Sequence, residues 1–264
     1  MLRPRIIPCL LIHKGGLVKT QVFKSPKYVG DPINAVKIFN EKEVDELMVL
    51  DIDATVNRVE PNYALIAKLA AECRMPLSYG GGINSVEQAK RIIGLGVEKV
   101  ALSAAAVVDP GIVSRMAEAI GRQSVVVVLD VRKKSGLFAK GYELCTHNAS
   151  VTHKIDPLVF AEAMQVAGAG EIVINSVDRD GEMKGYDLAL AQQIRRQLRV
   201  PMTMLGGAGS LDDLAELTRD CGIVGAAAGS LFVFKGKYRA VLINYPTAAQ
   251  KEKIFHAALS FSKS

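Results

Sequence analysis

The sequence predicts an α/β protein of the (β/α)8-barrel class, a TIM barrel, and three observations lead there. Short β-rich apolar runs alternate with helical patterns of ten or more residues, the order that builds a parallel sheet from βα units. Eight such strands can be counted, the number that closes a barrel. The chain also repeats itself. Tyr79-Gly-Gly-Gly-Ile83 recurs as Leu205-Gly-Gly-Ala-Gly209, with Gly81 and Gly207 standing 126 positions apart, and Ala104 and Ser230 show the same spacing. A barrel made of two four-unit halves has that period, whereas a solenoid needs a shorter one. A length of 264 residues with 49 % hydrophobic content suits one such barrel domain over residues 1–264.

The strands are expected at 5–12, 45–53, 76–81, 99–105, 124–132, 171–177, 201–206 and 223–230. The first is nearly all apolar, as befits a strand buried on both faces. Side chains alternate along it, so Arg5, Ile7, Cys9 and Leu11 share the inward face. His13, Gly15-Gly16 and Lys19 then read as a loop beyond its C-terminal end. Helices are expected at 34–43, 62–73, 85–95, 110–120, 157–166, 188–198 and 211–221. Ser85 with Gln88, Asp109-Pro110, Asp156-Pro157 and Ser210 supply start chemistry, while Gly94, Gly96, Gly121 and Gly168 sit where helices stop. Two stretches break the pattern: a long loop at 133–154, and a delayed last helix at 247–261. Long loops on the C-terminal face of a barrel carry function.

Bulk properties narrow the function classes. Cys9, Cys73, Cys145 and Cys221 are scattered, which fits reduced thiols in a cytoplasmic protein. No signal-peptide core or membrane-length apolar run is apparent. The net charge of +6 is spread along helices, and with no tryptophan the pattern argues against nucleic-acid binding and for small anions such as phosphates. Cys145-x-His147 with His153 matches no strong zinc template, so no metal is expected.

Candidate site residues fall at both barrel mouths. At the C-terminal mouth, backbone amides around Gly206-Gly207 and Gly229-Ser230 are placed to hold a phosphate, and Gly81-Gly82 with Ser103-Ala104 form the matching place in the other half. Tight turning alone is the competing explanation for these glycines. Two facing sites imply a substrate phosphorylated at both ends. Asp130 ends a very apolar strand and is the candidate for direct proton chemistry. Asp51, Asp53, Asp178 and Asp180 lie at equivalent heights, and some of them are expected either to pair with Arg179 or Lys19 or to accept backbone amides. At the N-terminal mouth Arg5, Glu46, Lys99 and Glu171 open strands one, two, four and six. Either they form a solvated rim or they close into a ring of salt bridges, a polar gate at a channel entrance. Buried charges are costly unless paired, so a ring needs a purpose.

Taken together, Arg5-Ile-Ile-Pro-Cys-Leu, Leu50-Asp-Ile, Gly80-Gly-Gly-Ile, Ser176-Val-Asp-Arg-Asp-Gly181 and Gly206-Gly-Ala-Gly209 resemble the cyclase subunit of imidazole glycerol phosphate synthase, from residue 1 to about residue 232. The resemblance implies a (β/α)8 barrel with no cofactor. It implies a glutaminase subunit docked at the N-terminal face, whose ammonia passes a gate matched here by Arg5, Glu46, Lys99 and Glu171. It also implies a substrate with two phosphates, with Lys19, Asp51, Gly82, Asp130, Asp180, Gly181, Gly207 and Ser230 at substrate-site positions. The family uses two aspartates as general acid and base. Asp130 matches the second, but Leu11 stands where the first is expected, and leucine transfers no proton. Ser103-Ala104 also replaces the usual Asn-Thr. A divergent branch that accompanies surface-polysaccharide genes resembles this chain more closely. There, with a glutaminase and a separate sugar amidotransferase, such barrels serve acetamidino-sugar formation for the lipopolysaccharide O-antigen. A genuine histidine-pathway cyclase and a non-catalytic scaffold that activates a glutaminase remain the alternatives.

Overall fold

The computed structural model describes residues 3–136 and 140–259. The chain opens with β1 (Arg5–His13), folds back through the antiparallel pair β2 (Gly16–Gln21) and β3 (Lys24–Gly30), and enters α1 (Pro32–Glu41). β4 (Leu47–Asp51), the short α2 (Ala54–Asn57), α3 (Tyr63–Glu72), β5 (Leu77–Gly80), α4 (Val86–Gly94) and β6 (Lys99–Leu102) follow. Next come α5 (Ala104–Val108), α6 (Gly111–Ile120), β7 (Val125–Lys133), a hairpin of β8 (Tyr142–Thr146) and β9 (Val151–His153), and α7 (Pro157–Ala167). The second half continues with β10 (Glu171–Ser176), α8 (Leu188–Gln197), β11 (Met202–Leu205), α9 (Leu211–Cys221), β12 (Gly225–Ala228) and α10 (Ser230–Val233). A two-stranded ribbon, β13 (Phe234–Lys235) with β14 (Ala240–Val241), and α11 (Ala248–Leu259) complete it.

Eight parallel strands run in the order β1, β4, β5, β6, β7, β10, β11, β12, and β12 pairs back with β1. The sheet is therefore a closed barrel. Strand alternation sends two sets of side chains in opposite directions. Ile7, Cys9, Met48, Ala101, Val126, Val128, Val173, Leu205 and Ala227 pack together inside, with Leu11 and Leu50 against them. The outward set, including Ile6, Leu10, Val49, Val127 and Ile174, packs under the helices. Each fully buried aliphatic side chain of this kind contributes about 1.5–3 kcal/mol.

Helix starts follow the sequence chemistry. The side chains of Asp31, Asn62, Ser85, Asp156 and Asp187 accept from first-turn amides, and Ser210 with Asp213 forms a capping box. The internal repeat is visible in the elements: β6 starts at Lys99 and β12 at Gly225, 126 positions on, and α5 and α10 start at Ala104 and Ser230.

Several expectations change. Residues 16–30 are a β-hairpin rather than a loop: β2 pairs antiparallel with β1 (Leu11 opposite Val18) and β3 extends the ribbon. The long loop at 133–154 likewise contains a hairpin, β8 lying antiparallel on β7 with Cys145 opposite Asp130; its residues 137–139 lie outside the described residues. Asp130 does not end its strand, because β8 gives β7 a partner as far as Lys133. Residues 1–2 and 260–264 lie outside the described residues, and with them the end of the expected helix at 247–261. No described helix is long and apolar enough to cross a membrane.

Candidate active site and the charged ring opposite it

At the N-terminal mouth the four charges close into a ring. Arg5 binds Glu46 through Nη1 and reaches Glu171 Oε1 from Nη2 at 2.8 Å. Lys99 Nζ completes it, 2.8 Å from Glu46 Oε1 and 2.9 Å from Glu171 Oε2. Ser78 Oγ donates to Glu46 Oε1 (3.0 Å) and Thr203 Oγ1 to Glu171 Oε1 (2.6 Å). Both glutamates are 3 % exposed, so this is no solvated rim. Burial alone opposes ionisation of Glu171, but Arg5 and Lys99 outweigh it and hold the carboxyl at about 2. Burial also works against the Arg5 guanidinium, and the two carboxylates more than offset it, leaving its pKa raised.

At the C-terminal mouth, one pocket gathers every candidate substrate residue: Lys19, Asp51, Gly81, Gly82, Ser103, Asp130, Asp180, Gly181, Gly206, Gly207, Gly229 and Ser230. Asp130 sits on β7 beside β10, in register with Asn175, whose amide donates to its Oδ1 at 2.9 Å. Desolvation pushes the Asp130 carboxyl up to about 7; the Asn175 hydrogen bond works the other way and the charge of Asp180 adds to the rise. Lys19 is 5 % exposed, and its Nζ donates to the Cys9 carbonyl at 2.5 Å. Burial lowers its pKa, opposed by Cys9 and Asp180. Asp51 caps its own turn, accepting from the amides of Asp53 (2.9 Å) and Ala54 (3.2 Å), and burial raises its pKa against those bonds.

Asp180 anchors the β2–β3 turn rather than pairing with Lys19 or Arg179. It accepts from Thr20 Oγ1 at 2.6 Å and from the Phe23 amide at 3.0 Å. Arg179 instead donates to the Lys184 carbonyl (3.3 Å). Asp53 and Asp178 lie outside the pocket lining and are otherwise engaged. Asp53 holds His13 Nδ1 and the Lys14 amide, each at 2.7 Å, and Asp178 takes the Lys133 amide at 2.8 Å.

Gly81 (φ 124°) and Gly207 (φ 113°) are required by their turns, since a Cβ would lie 2.5 Å from the Asp51 carbonyl oxygen or 2.2 Å from that of Gly185. The two halves differ in what remains. The Gly82 amide already donates to Thr55 Oγ1 at 3.2 Å, whereas Gly229 sits so close to the Lys19 ammonium that a Cβ there would lie 2.6 Å from Nζ. The Lys19 ammonium thus lies beside the second-half turn, and among the described residues that line the pocket no other lysine or arginine stands at the first-half turn.

Leu11 lines this same pocket. Asn175, Thr20, Phe23, His147 and Asn148 also line it and were not legible as site residues. Asn175 had a usable cue: it is a polar residue at the C-terminal end of the inward series Glu171, Val173, Asn175 on β10. His147 and Asn148 arrive on the β8–β9 turn, and Asn148 Nδ2 crosses the mouth to the Ile52 carbonyl at 2.9 Å. His147 Nδ1 and His153 Nε2 both meet Thr146 Oγ1 (3.0 and 2.9 Å). Among the described residues, no group of three or more His, Cys, Asp or Glu side chains is placed to hold a metal ion.

The closed sheet with its helices makes the chain a (β/α)8 barrel, with a buried ion-pair ring at one mouth and a carboxylate-lined pocket at the other. The family model described as histidine biosynthesis protein matches residues 5–239, and the chain belongs to that family, among relatives of the cyclase subunit of imidazole glycerol phosphate synthase. It is 56 % identical over 253 residues to a Vibrio vulnificus (strain YJ016) protein provisionally named imidazole glycerol phosphate synthase subunit hisF3, covering 96 % of each chain. A Leptospira interrogans protein provisionally named subunit HisF is 54 % identical over 256 residues, 97 % of this chain and 100 % of that one. A Pseudomonas aeruginosa protein provisionally named subunit hisF2 is 53 % identical over 246 residues, 93 % of this chain and 97 % of that one.

Proposed function

We propose that the chain is the ammonia-accepting, lyase-type synthase subunit of a glutamine-dependent amidotransferase, serving acetamidino-sugar formation for lipopolysaccharide O-antigen rather than imidazole ring closure. The observation that carries this reading is Leu11, an apolar side chain in the pocket wall where a second proton-transferring carboxylate is needed for ring closure. The ring at the far mouth is complete, so a route for ammonia is kept while the cyclisation chemistry is lost.

In this reading a glutaminase docks on the N-terminal face and releases ammonia at Arg5, Glu46, Lys99 and Glu171. The barrel interior beyond is apolar, which favours passage of the neutral molecule over the ammonium ion. At the other mouth Gly206-Gly207 and Gly229-Ser230, with Lys19 beside them, hold a phosphate of the acceptor, while Gly81-Gly82 and Ser103 face its other end. Asp51, Asp180 and Gly181 shape the wall. Asp130, oriented by Asn175 and poised near neutrality, accepts the proton that ammonia loses on adding to the acceptor. A separate sugar amidotransferase is the further partner.

The histidine-pathway cyclase is the second reading, favoured by Lys19, Asp51, Gly82, Asp130, Asp180, Gly181, Gly207 and Ser230, which all line the pocket. A scaffold that only activates a glutaminase would make no use of Asp130 with its Asn175 partner. The deciding experiment supplies ammonium salts and the two-phosphate substrate of the histidine-pathway cyclase to the purified chain. No imidazole product is expected from the native protein, and a trace from Leu11→Asp. Robust turnover by the native chain would overturn the proposal in favour of the second reading.

A further inference from the structure

Beneath the charged ring the barrel wall has a seam. On β1 the backbone groups of alternate residues face β12 and β4 in turn. The Arg5 amide donates to Val224 on the β12 side. Ile6 faces β4, yet the β1–β4 pairing begins only at Cys9 opposite Met48. Pro8, the next residue facing that side, has no N–H to offer. The ladder is therefore missing at the floor, between Arg5 at the start of β1 and Glu46 just before β4.

Asp45 and two side chains from the C-terminal segment fill the gap. The Ile6 amide donates to Asp45 Oδ2 at 3.0 Å. The Tyr245 hydroxyl donates to the Ile6 carbonyl at 2.8 Å and accepts from the Asp45 amide at 3.1 Å, bridging both strands through one oxygen. Lys251, on α11, binds the other Asp45 oxygen at 2.9 Å. The Tyr245 ring rests on buried Phe232, with centroids 5.4 Å apart. Arg5 and Glu46 are covalent neighbours of Ile6 and Asp45 and pair across this same seam, on its inner side.

We infer that Tyr245 and Lys251 are positioning residues for the Arg5–Glu46 pair, so that α11 holds the β1–β4 seam shut and its displacement opens the barrel floor beside the ring. The coupling is a property of the floor itself. Its consequence for ammonia rests on the proposed function, and the test below does not.

Tyr245→Phe keeps the stacked ring and removes only the hydroxyl; Lys251→Met keeps the stem and removes the charge. Both are made in the full chain and compared with Val113→Ala, a buried change in α6 away from the seam. One readout is amide hydrogen exchange at Asp45, expected to quicken roughly tenfold or more in Tyr245→Phe. The other is the side-chain nitrogen NMR spectrum of Arg5, assigned through Arg5→Lys. Separate, slowly rotating Nη signals are expected in the native chain, and averaged ones in both seam variants. Val113→Ala should lower the melting temperature and leave the Arg5 signals unchanged. Unchanged Arg5 signals in both seam variants would overturn the inference, as would an equal change in Val113→Ala. If Tyr245→Phe does not fold, the Arg5 spectrum of Lys251→Met alone decides.

Discussion

Asp130 shows how one side chain is set at odds with the stability of its surroundings. Its carboxyl is raised to about 7 by desolvation, so the folded chain holds the proton more tightly than the unfolded one, where an aspartate titrates near 3.8. The sign follows from linkage: stability conferred by the protonated form is fully present below about pH 4, declines as pH rises to about 7, and is flat above. Asp130→Asn removes that decline while leaving Asn175 an oxygen to bond. The variant is therefore expected to be more stable than the native chain at pH 8, by at most on the order of 4 kcal/mol, and little different at pH 4. Denaturant unfolding at the two pH values checks it. Turnover should be lost in the same variant. Leu11 is the complementary case. Its inward direction was readable from alternation on the first strand, and the proposed function rests on the proton it cannot transfer.

The eight barrel strands were legible because a strand buried on both faces is written as an unbroken apolar run, and the helix starts because Asp, Asn and Ser caps are local chemistry. The two hairpins were not legible. β3 is mostly exposed and polar (Lys24-Ser-Pro-Lys-Tyr28), and β9 has three residues, so neither carries a strand's apolar pattern. What orders them is tertiary. Asp180 pins the β2–β3 turn through Thr20 and Phe23, and β7, extended past the barrel rim, gives β8 an edge to join. The seam under the ring was hidden for the same reason, since Tyr245 lies 239 positions from Ile6. The β8–β9 turn has three successive residues with φ of 54–60° (His147, Asn148, Ala149), and one side-chain bond from Asn148 to Ile52 ties it across the mouth. Asn148→Ala is expected to increase proteolytic cleavage within 147–150 several-fold, with the melting temperature nearly unchanged. Equal cleavage rates in the two proteins would show that the turn is held by other contacts.

At the scale of the whole molecule, the half-barrel repeat has been used differently at its two ends. The N-terminal mouth draws one charge each from β1, β6 and β10 and one from the residue just before β4, so all four quarters of the ring depend on barrel closure. The C-terminal mouth keeps paired glycine turns but places Lys19 against one of them and the carboxylate of Asp130 on β7. An apolar interior separates the two, which makes their contributions separable. Lys99→Met leaves Glu46 and Glu171 facing a single cation, a loss of the kind that costs about 3–5 kcal/mol when a buried ion pair is broken. Glu171 is held near 2, so its stabilisation is complete above its unfolded value of 4.5 and is lost as pH falls through about 2; the deficit of Lys99→Met should therefore be largest at neutral pH and shrink below about pH 4. For transfer, two nitrogen sources distinguish the mouths. With a docked glutaminase and glutamine, Lys99→Met is expected to lose product and release ammonium into the medium, yet to recover when ammonium salts are added, because ammonia then reaches Asp130 from the open side. Asp130→Asn is expected to fail with either source while the glutaminase still turns over. If Lys99→Met were equally impaired with both sources, the ring would be a structural closure of the barrel floor and not a route for ammonia.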